Sequence, residues 1–219
     1  MTALLDLDRL ADAKPESEPF PYVIVPGFLR AERLADLIQD FPRVETPRNH
    51  AVSGCRYGPA FERLLEELEG PELPQLLGQK LGVPELEALP CDVTVRARCE
   101  PSDGHVHTDH WSKVTTALLY PNDVWSAAGG RLRLLRSAGD LEDYLVEVPP
   151  VGGALVAFRR TRNSFHGHAP YEGTRRVVQV SWLRRSRVAR ALQACARQGT
   201  HWLKRLGLHP DGPRQGAGD

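Results

Sequence analysis

The stretch "CDVTVRARC", residues 91–99, is where the chain changes period. Upstream, apolar residues recur at helical spacing; from Cys91 onward they recur every second residue, as strands require. Six more short runs follow with turn residues between them: "SKVTTALLYP" (112–121), "GGRLRLLR" (129–136), "DYLVEVPP" (143–150), "GALVAF" (153–158), "SFHGHAPY" (164–171) and "TRRVVQVSWL" (174–183). Strands this short and this regularly punctuated predict a β-sandwich or jelly roll.

Working outward, "PYVIVPGFL" (21–29) reads as a short apolar strand closed by Pro-Gly. "AERLADLIQDF" (31–41) sets Leu34, Leu37 and Ile38 at helical spacing, and Pro42 ends that helix. Two more helices are expected in "AFERLLEEL" (60–68), with Phe61, Leu64, Leu65 and Leu68 on one face, and in "PELPQLLGQKLG" (71–82). The polar segment 42–59 is long for a plain connection, and loops of that length are often functional. Beyond the last strand, roughly 185–206 reads as a helix with Val188, Leu192 and Cys195 on one side and arginines on the other.

Composition narrows the classes. At 219 residues the chain suits one domain with a substantial core. Its 28 basic and 28 acidic residues cancel, so overall charge gives no reason to expect nucleic acid. The four cysteines form no C-x-x-C pair, which argues against a zinc ribbon or a thioredoxin-like site and for reduced thiols. The N-terminus lacks the basic and apolar regions of a secretory signal, and no run approaches the ~20 apolar residues of a membrane span. The expected location is the cytoplasm.

Of eight histidines, five fall in "HVHTDH" (105–110) and "SFHGH" (164–168). In an extended segment His105, His107 and Asp109 share a face, and His110 points elsewhere. Two imidazoles and a carboxylate form a metal site if a further ligand arrives from across the sheet. His166 and His168 also share a face, but lie ~6–7 Å apart along a strand, so only one can sit at the ~2 Å of a metal–nitrogen bond. A lone histidine in a strand is more often a hydrogen-bonded structural residue; two clusters in neighbouring strands favour the metal. In "RRVVQVSWL", Arg176, Val178, Val180 and Trp182 form one face; Arg175, Val177, Gln179 and Ser181 form the other. Arg176, on the apolar face, needs an anion if buried, although an internal salt bridge or a strand-end position reaching water would also serve. Tyr120 shares its face with Val114, Thr116 and Leu118 and points inward with a hydroxyl to satisfy.

Together these residues resemble the 2-oxoglutarate- and Fe(II)-dependent dioxygenases, in their prolyl 4-hydroxylase-like branch. The resemblance spans roughly Cys91 to Leu183. It rests on the ordered set His107-Thr108-Asp109, Tyr120 in "LLYPNDVW", Gly129-Gly130, His166 in "SFHG" and Arg176. It implies a fold that is mainly β with supporting helices around a double-stranded β-helix (jelly roll) core. It further implies Fe(II) held by His107, Asp109 and His166, and 2-oxoglutarate as cosubstrate with its distal carboxylate on Arg176 and Tyr120. Ascorbate is a candidate reductant. The implied reaction is hydroxylation of an unactivated C–H bond with release of succinate and CO2. Related halogenases carry a small residue in place of Asp109, so its presence favours hydroxylation.

On this reading residues 1–90 are an N-terminal strand and helical support of the same domain, and 91–184 the jelly-roll catalytic core. Residues 185–208 are a basic C-terminal helix and 209–219 a disordered tail. The preferred substrate is a small molecule: an amino acid, a sugar or a carrier-bound metabolite. Alternatives are a prolyl residue in a protein, or a metal-binding cupin-like protein. The cupin would lack the glutamate expected after H-x-H and would leave Arg176 without a role; a non-catalytic structural protein is a further alternative. The C-terminal helix could pack on the β domain, dock an acidic partner or anionic membrane surface, or form a homodimer. His105, His110 and His168 exceed the pattern, and Lys113 is a competing anion partner.

Overall fold

A computed structural model describes residues 3–185 of the chain. The order of elements is α1 (Leu7–Asp12), β1 (Tyr22–Val25), α2 (Ala31–Gln39), β2 (His50–Ala51), α3 (Pro59–Glu69), α4 (Glu72–Leu81), β3 (Cys91–Cys99), β4 (Lys113–Tyr120), β5 (Leu132–Leu135), β6 (Tyr144–Val148), β7 (Ala154–Arg159), β8 (His166–Gly167) and β9 (Gly173–Leu183).

Local chemistry sets the helix ends. Asp6 caps α1, its carboxylate accepting from the Arg9 amide at 3.1 Å, and Lys80 closes the other end by donating to the carbonyls of Ala11 and Ala13. Helix α3 starts on Pro59, whose missing N–H costs nothing in a first turn. The Asp40 carboxylate accepts from the Ala60 amide at 2.7 Å. Helix α4 stops at Gly82, in the left-handed region at φ +65°.

The strands form two antiparallel sheets, a large one in the order β1-β7-β4-β9-β3-β2 and a small one in the order β6-β5-β8. One face of the large sheet packs on the helices: Val95, Leu119, Leu155, Val178, Val180 and Trp182 meet Phe61, Leu64, Leu77 and Leu86. The opposite face meets the small sheet, joining Leu118, Tyr120, Val156, Phe158 and Val177 to Leu132, Leu134 and Val148. Two facing antiparallel sheets with this order make a double-stranded β-helix, or jelly roll, backed by helices. Burial on both faces explains why "TTALLY" and "ALVAF" read as near-continuous apolar runs.

The N-terminal strand belongs to the large sheet, Tyr22 pairing with Phe158 and Val25 with Leu155. Segment 42–59 contributes β2, whose His50 and Ala51 pair with Val95 and Thr94. From residue 186 onward the expected C-terminal helix and tail lie outside the described residues. No described helix is long and apolar enough to cross a membrane.

Candidate metal and cosubstrate site

The two histidine clusters meet through backbone pairing. The His107 amide donates to the His166 carbonyl at 3.0 Å, and the His166 amide returns the bond to the His107 carbonyl at 2.9 Å. This isolated bridge joins His107 to the first residue of β8, and residues 105–110 form no full strand. It brings His107, Asp109 and His166 together, with one ligand atom of each within 4.8 Å of the others. His107 Nδ1 lies 2.8 Å from the His105 carbonyl, and His166 Nδ1 lies 3.0 Å from the Ser164 carbonyl. A carbonyl only accepts, so each Nδ1 carries the proton and each Nε2 keeps its lone pair. These three residues could hold a metal.

Asp109 is buried. Its Oδ1 accepts from Lys113 Nζ at 2.7 Å and its Oδ2 from Thr116 Oγ1. Burial alone would raise its pKa, but the Lys113 ammonium, then His166 and His107, hold it well below the usual carboxylate range. Lys113 is thus engaged with this carboxylate. Burial, reinforced by His107, pushes His166 down to about 4. The imidazole is neutral at pH 7, the state that ligation requires.

A cavity of about 150 Å³ leads from these residues into the space between the sheets, past Leu118 and Leu132 to Tyr120 and Arg175. Tyr120 is fully buried, and its hydroxyl has no hydrogen-bond partner among the described residues. Burial raises its pKa, and the Arg175 guanidinium, 5.2 Å from the ring centroid, works against that rise. Arg175 is itself buried; its Nε donates to the Gly130 carbonyl at 2.7 Å. Among the described residues it makes no salt bridge.

The expectation that Arg176 faces this pocket is corrected. Arg175, Val177 and Gln179 line the cavity, whereas Val178, Val180 and Trp182 pack into the core that includes the helices. Arg176 borders a separate cavity with Ile38, Trp125 and Tyr171. The more apolar face of β9 is the helix-packed one; the inward face carries polar side chains because it borders a site.

Of the extra histidines, His105 is exposed and His110 Nδ1 meets Ser112 Oγ at 2.8 Å. His168 is buried and lines the cavity, with its pKa pushed down to about 4 by burial and then by Arg175. It fits only because residue 104 is glycine: a Cβ there would stand 2.4 Å from His168 Nδ1. At the rim, Arg96 donates through Nε to Asn49 Oδ1 at 3.0 Å and pairs with buried Asp103 at 2.7 Å. Sequence reasoning missed Arg175, Thr116, Asn49 and Gly104. Two of these left a trace there: Thr116, on the inward face it shares with Tyr120, and Arg175, as one of two adjacent arginines opening the last strand.

Residues 96–184 match the model of the 2OG-Fe(II) oxygenase superfamily. Among solved structures, a prolyl 4-hydroxylase of Pseudomonas putida superposes with a TM-score of 0.56 at 21% identity, covering 82% of this chain and 97% of that one. A prolyl 4-hydroxylase of Phytophthora capsici gives 0.54 at 18%, covering 94% and 77%. HygX of Streptomyces hygroscopicus, with nickel and 2-oxoglutarate bound, gives 0.52 at 14%, covering 75% and 82%. At these identities the likeness is one of fold. No curated protein sequence matches the chain. The superfamily match thus spans nearly the whole jelly roll, residues 96–184, and a His-Asp-His cluster that could hold a metal lies at its mouth.

Proposed function

We propose that the protein hydroxylates an unactivated C–H bond of a small molecule, with His107, Asp109 and His166 as the Fe(II) ligands and Arg175 with Tyr120 as the seat of the distal 2-oxoglutarate carboxylate. The observation that carries this reading is the buried pair at the inner end of the cavity. A guanidinium out of water with no anion, beside a phenol with no partner, is costly unless a ligand supplies an acceptor to both. A dicarboxylate does so, and the three-residue cluster at the other end suits its keto-acid end. The donor set therefore fits both the metal and the cosubstrate.

When bound, Fe(II) and 2-oxoglutarate would supply four-electron reduction of dioxygen, one oxygen atom going into succinate as CO2 is released and the other into a C–H bond of the substrate. The chain's own residues do the rest. His107 and His166 turn Nε2 toward the site because their Nδ1 nitrogens are tied to carbonyls, and burial keeps the His166 ring neutral. Asp109 stays ionised and supplies the single negative charge of the set, occupying a position that a halide would otherwise need. Leu118, Leu132 and Val177 give the space between metal and anion seat apolar walls that limit water.

The two adjacent arginines provide the test. Arg175→Ala should raise the 2-oxoglutarate concentration needed for half-maximal succinate formation by ~10–150-fold, the worth of a charged hydrogen bond, with metal affinity little changed. Arg176→Ala should leave that requirement near wild type. The opposite pattern would reject the assignment. Screening metabolites and prolyl peptides for a gain of one oxygen separates the substrate classes; turnover of peptides alone would overturn the small-molecule reading.

A further inference from the structure

Lys113 is a buried ammonium at the start of β4, 2.7 Å from Asp109 Oδ1. Orientation does not require a charge there. Thr116 already holds Oδ2, and Arg160 Nε donates to the Asp109 backbone carbonyl at 3.1 Å. A neutral donor at position 113 would complete the positioning without the desolvation cost of a buried cation. The ammonium therefore has an electrostatic consequence: it cancels the negative charge of the one carboxylate in the cluster. A divalent ion entering the cluster meets a neutral environment instead of an anionic one, and a fixed positive charge stands within a few ångströms of it.

We propose that Lys113 is a positioning residue that tunes the metal site, its charge weakening the hold of Asp109 on the ion. The inference rests on reading Asp109 as a ligand. It makes the site preformed without metal, because the carboxylate is satisfied in advance, and makes the ion exchangeable. A merely structural lysine would act oppositely, since its removal would let Asp109 move and loosen the metal.

The test is Mn(II) binding to the full-length protein, followed by the electron paramagnetic resonance signal of free Mn(II), for wild type, Lys113→Met, Lys113→Gln, Lys113→Arg and Asp109→Ala. Both neutral variants should bind about tenfold or more tightly than wild type, and Lys113→Arg should stay within roughly threefold of it. Unchanged or weaker binding in the neutral variants overturns the proposal, as does failure of both to fold, which would make Lys113 a strut. If wild type binds no Mn(II), or Asp109→Ala binds as well as wild type, the ligand reading itself fails, a separate outcome.

Discussion

Gly104 shows how tightly single positions constrain this site. Its φ is +88°, and a Cβ would stand 2.4 Å from His168 Nδ1 and 2.6 Å from the His168 carbonyl oxygen. The backbone conformation and the close approach both exclude a side chain. Gly104→Ala should therefore lower stability by about 1–3 kcal/mol, measured as a shift of the urea midpoint at constant m-value. An unchanged midpoint would mean that the 100–104 turn gives way freely. At this scale His107, Asp109, His166 and Tyr120 were legible as candidates because their spacing and inward face carry a chemical signature. Arg175 was not. Its neighbour Arg176 lies on the more apolar face, which alternation alone assigns to the barrel interior. In a sheet covered on both sides that rule inverts, since the helix-packed face is the drier one and the face bordering a site is the more polar.

Among the elements, the start of β9 is tied to a side chain just beyond the end of β4. Buried Asn122 donates through Nδ2 to the carbonyls of Pro150, at 2.7 Å, and Arg176, at 2.9 Å, while its Oδ1 accepts from the Arg176 amide at 2.9 Å. The amide thus substitutes for a strand neighbour where β4 has ended, holding the backbone between Tyr120 and Arg175 in register. Asn122→Ala would leave those backbone groups short of partners, at about 1–3 kcal/mol. It should also raise the 2-oxoglutarate requirement, because Arg175 of the proposed anion seat directly precedes the Arg176 backbone that Asn122 holds. Lost stability with an unaltered requirement would show that the seat is positioned independently. The longer strands from Cys91 onward and the three amphipathic helices could be read directly, since their periods extend over several turns or alternations. Helix α1 and the two-residue β2 could not. Each is too short for periodicity to register, and each exists through long-range partners, Lys80 for the first and Val95 with Thr94 for the second.

For the molecule as a whole, the buried imidazoles set an acid limit. His166 and His168 have pKa values of about 4 in the fold, below the ordinary value near 6.5 of an unfolded histidine. Between those values the unfolded chain binds protons that the folded one refuses, so stability rises with pH there. The contribution is fully present above about pH 6.5 and is lost as pH falls toward about 4, by up to about 3 kcal/mol per residue. Urea midpoints of the metal-free protein should fall steadily from pH 7 to pH 4.5, and His168→Gln should flatten part of that slope. A flat profile would indicate that these rings are hydrated in solution.

The margins of the large sheet have a consequence for how folded copies meet one another. One margin is the four-residue β1, whose Tyr22 exchanges backbone hydrogen bonds with Glu16, and the other is the two-residue β2. Aggregation through strand addition needs a long row of unpaired amides and carbonyls to act as a template. Margins this short offer little of one, so the crowded conditions that drive such stacking in open β-sheets find scant purchase on the large sheet.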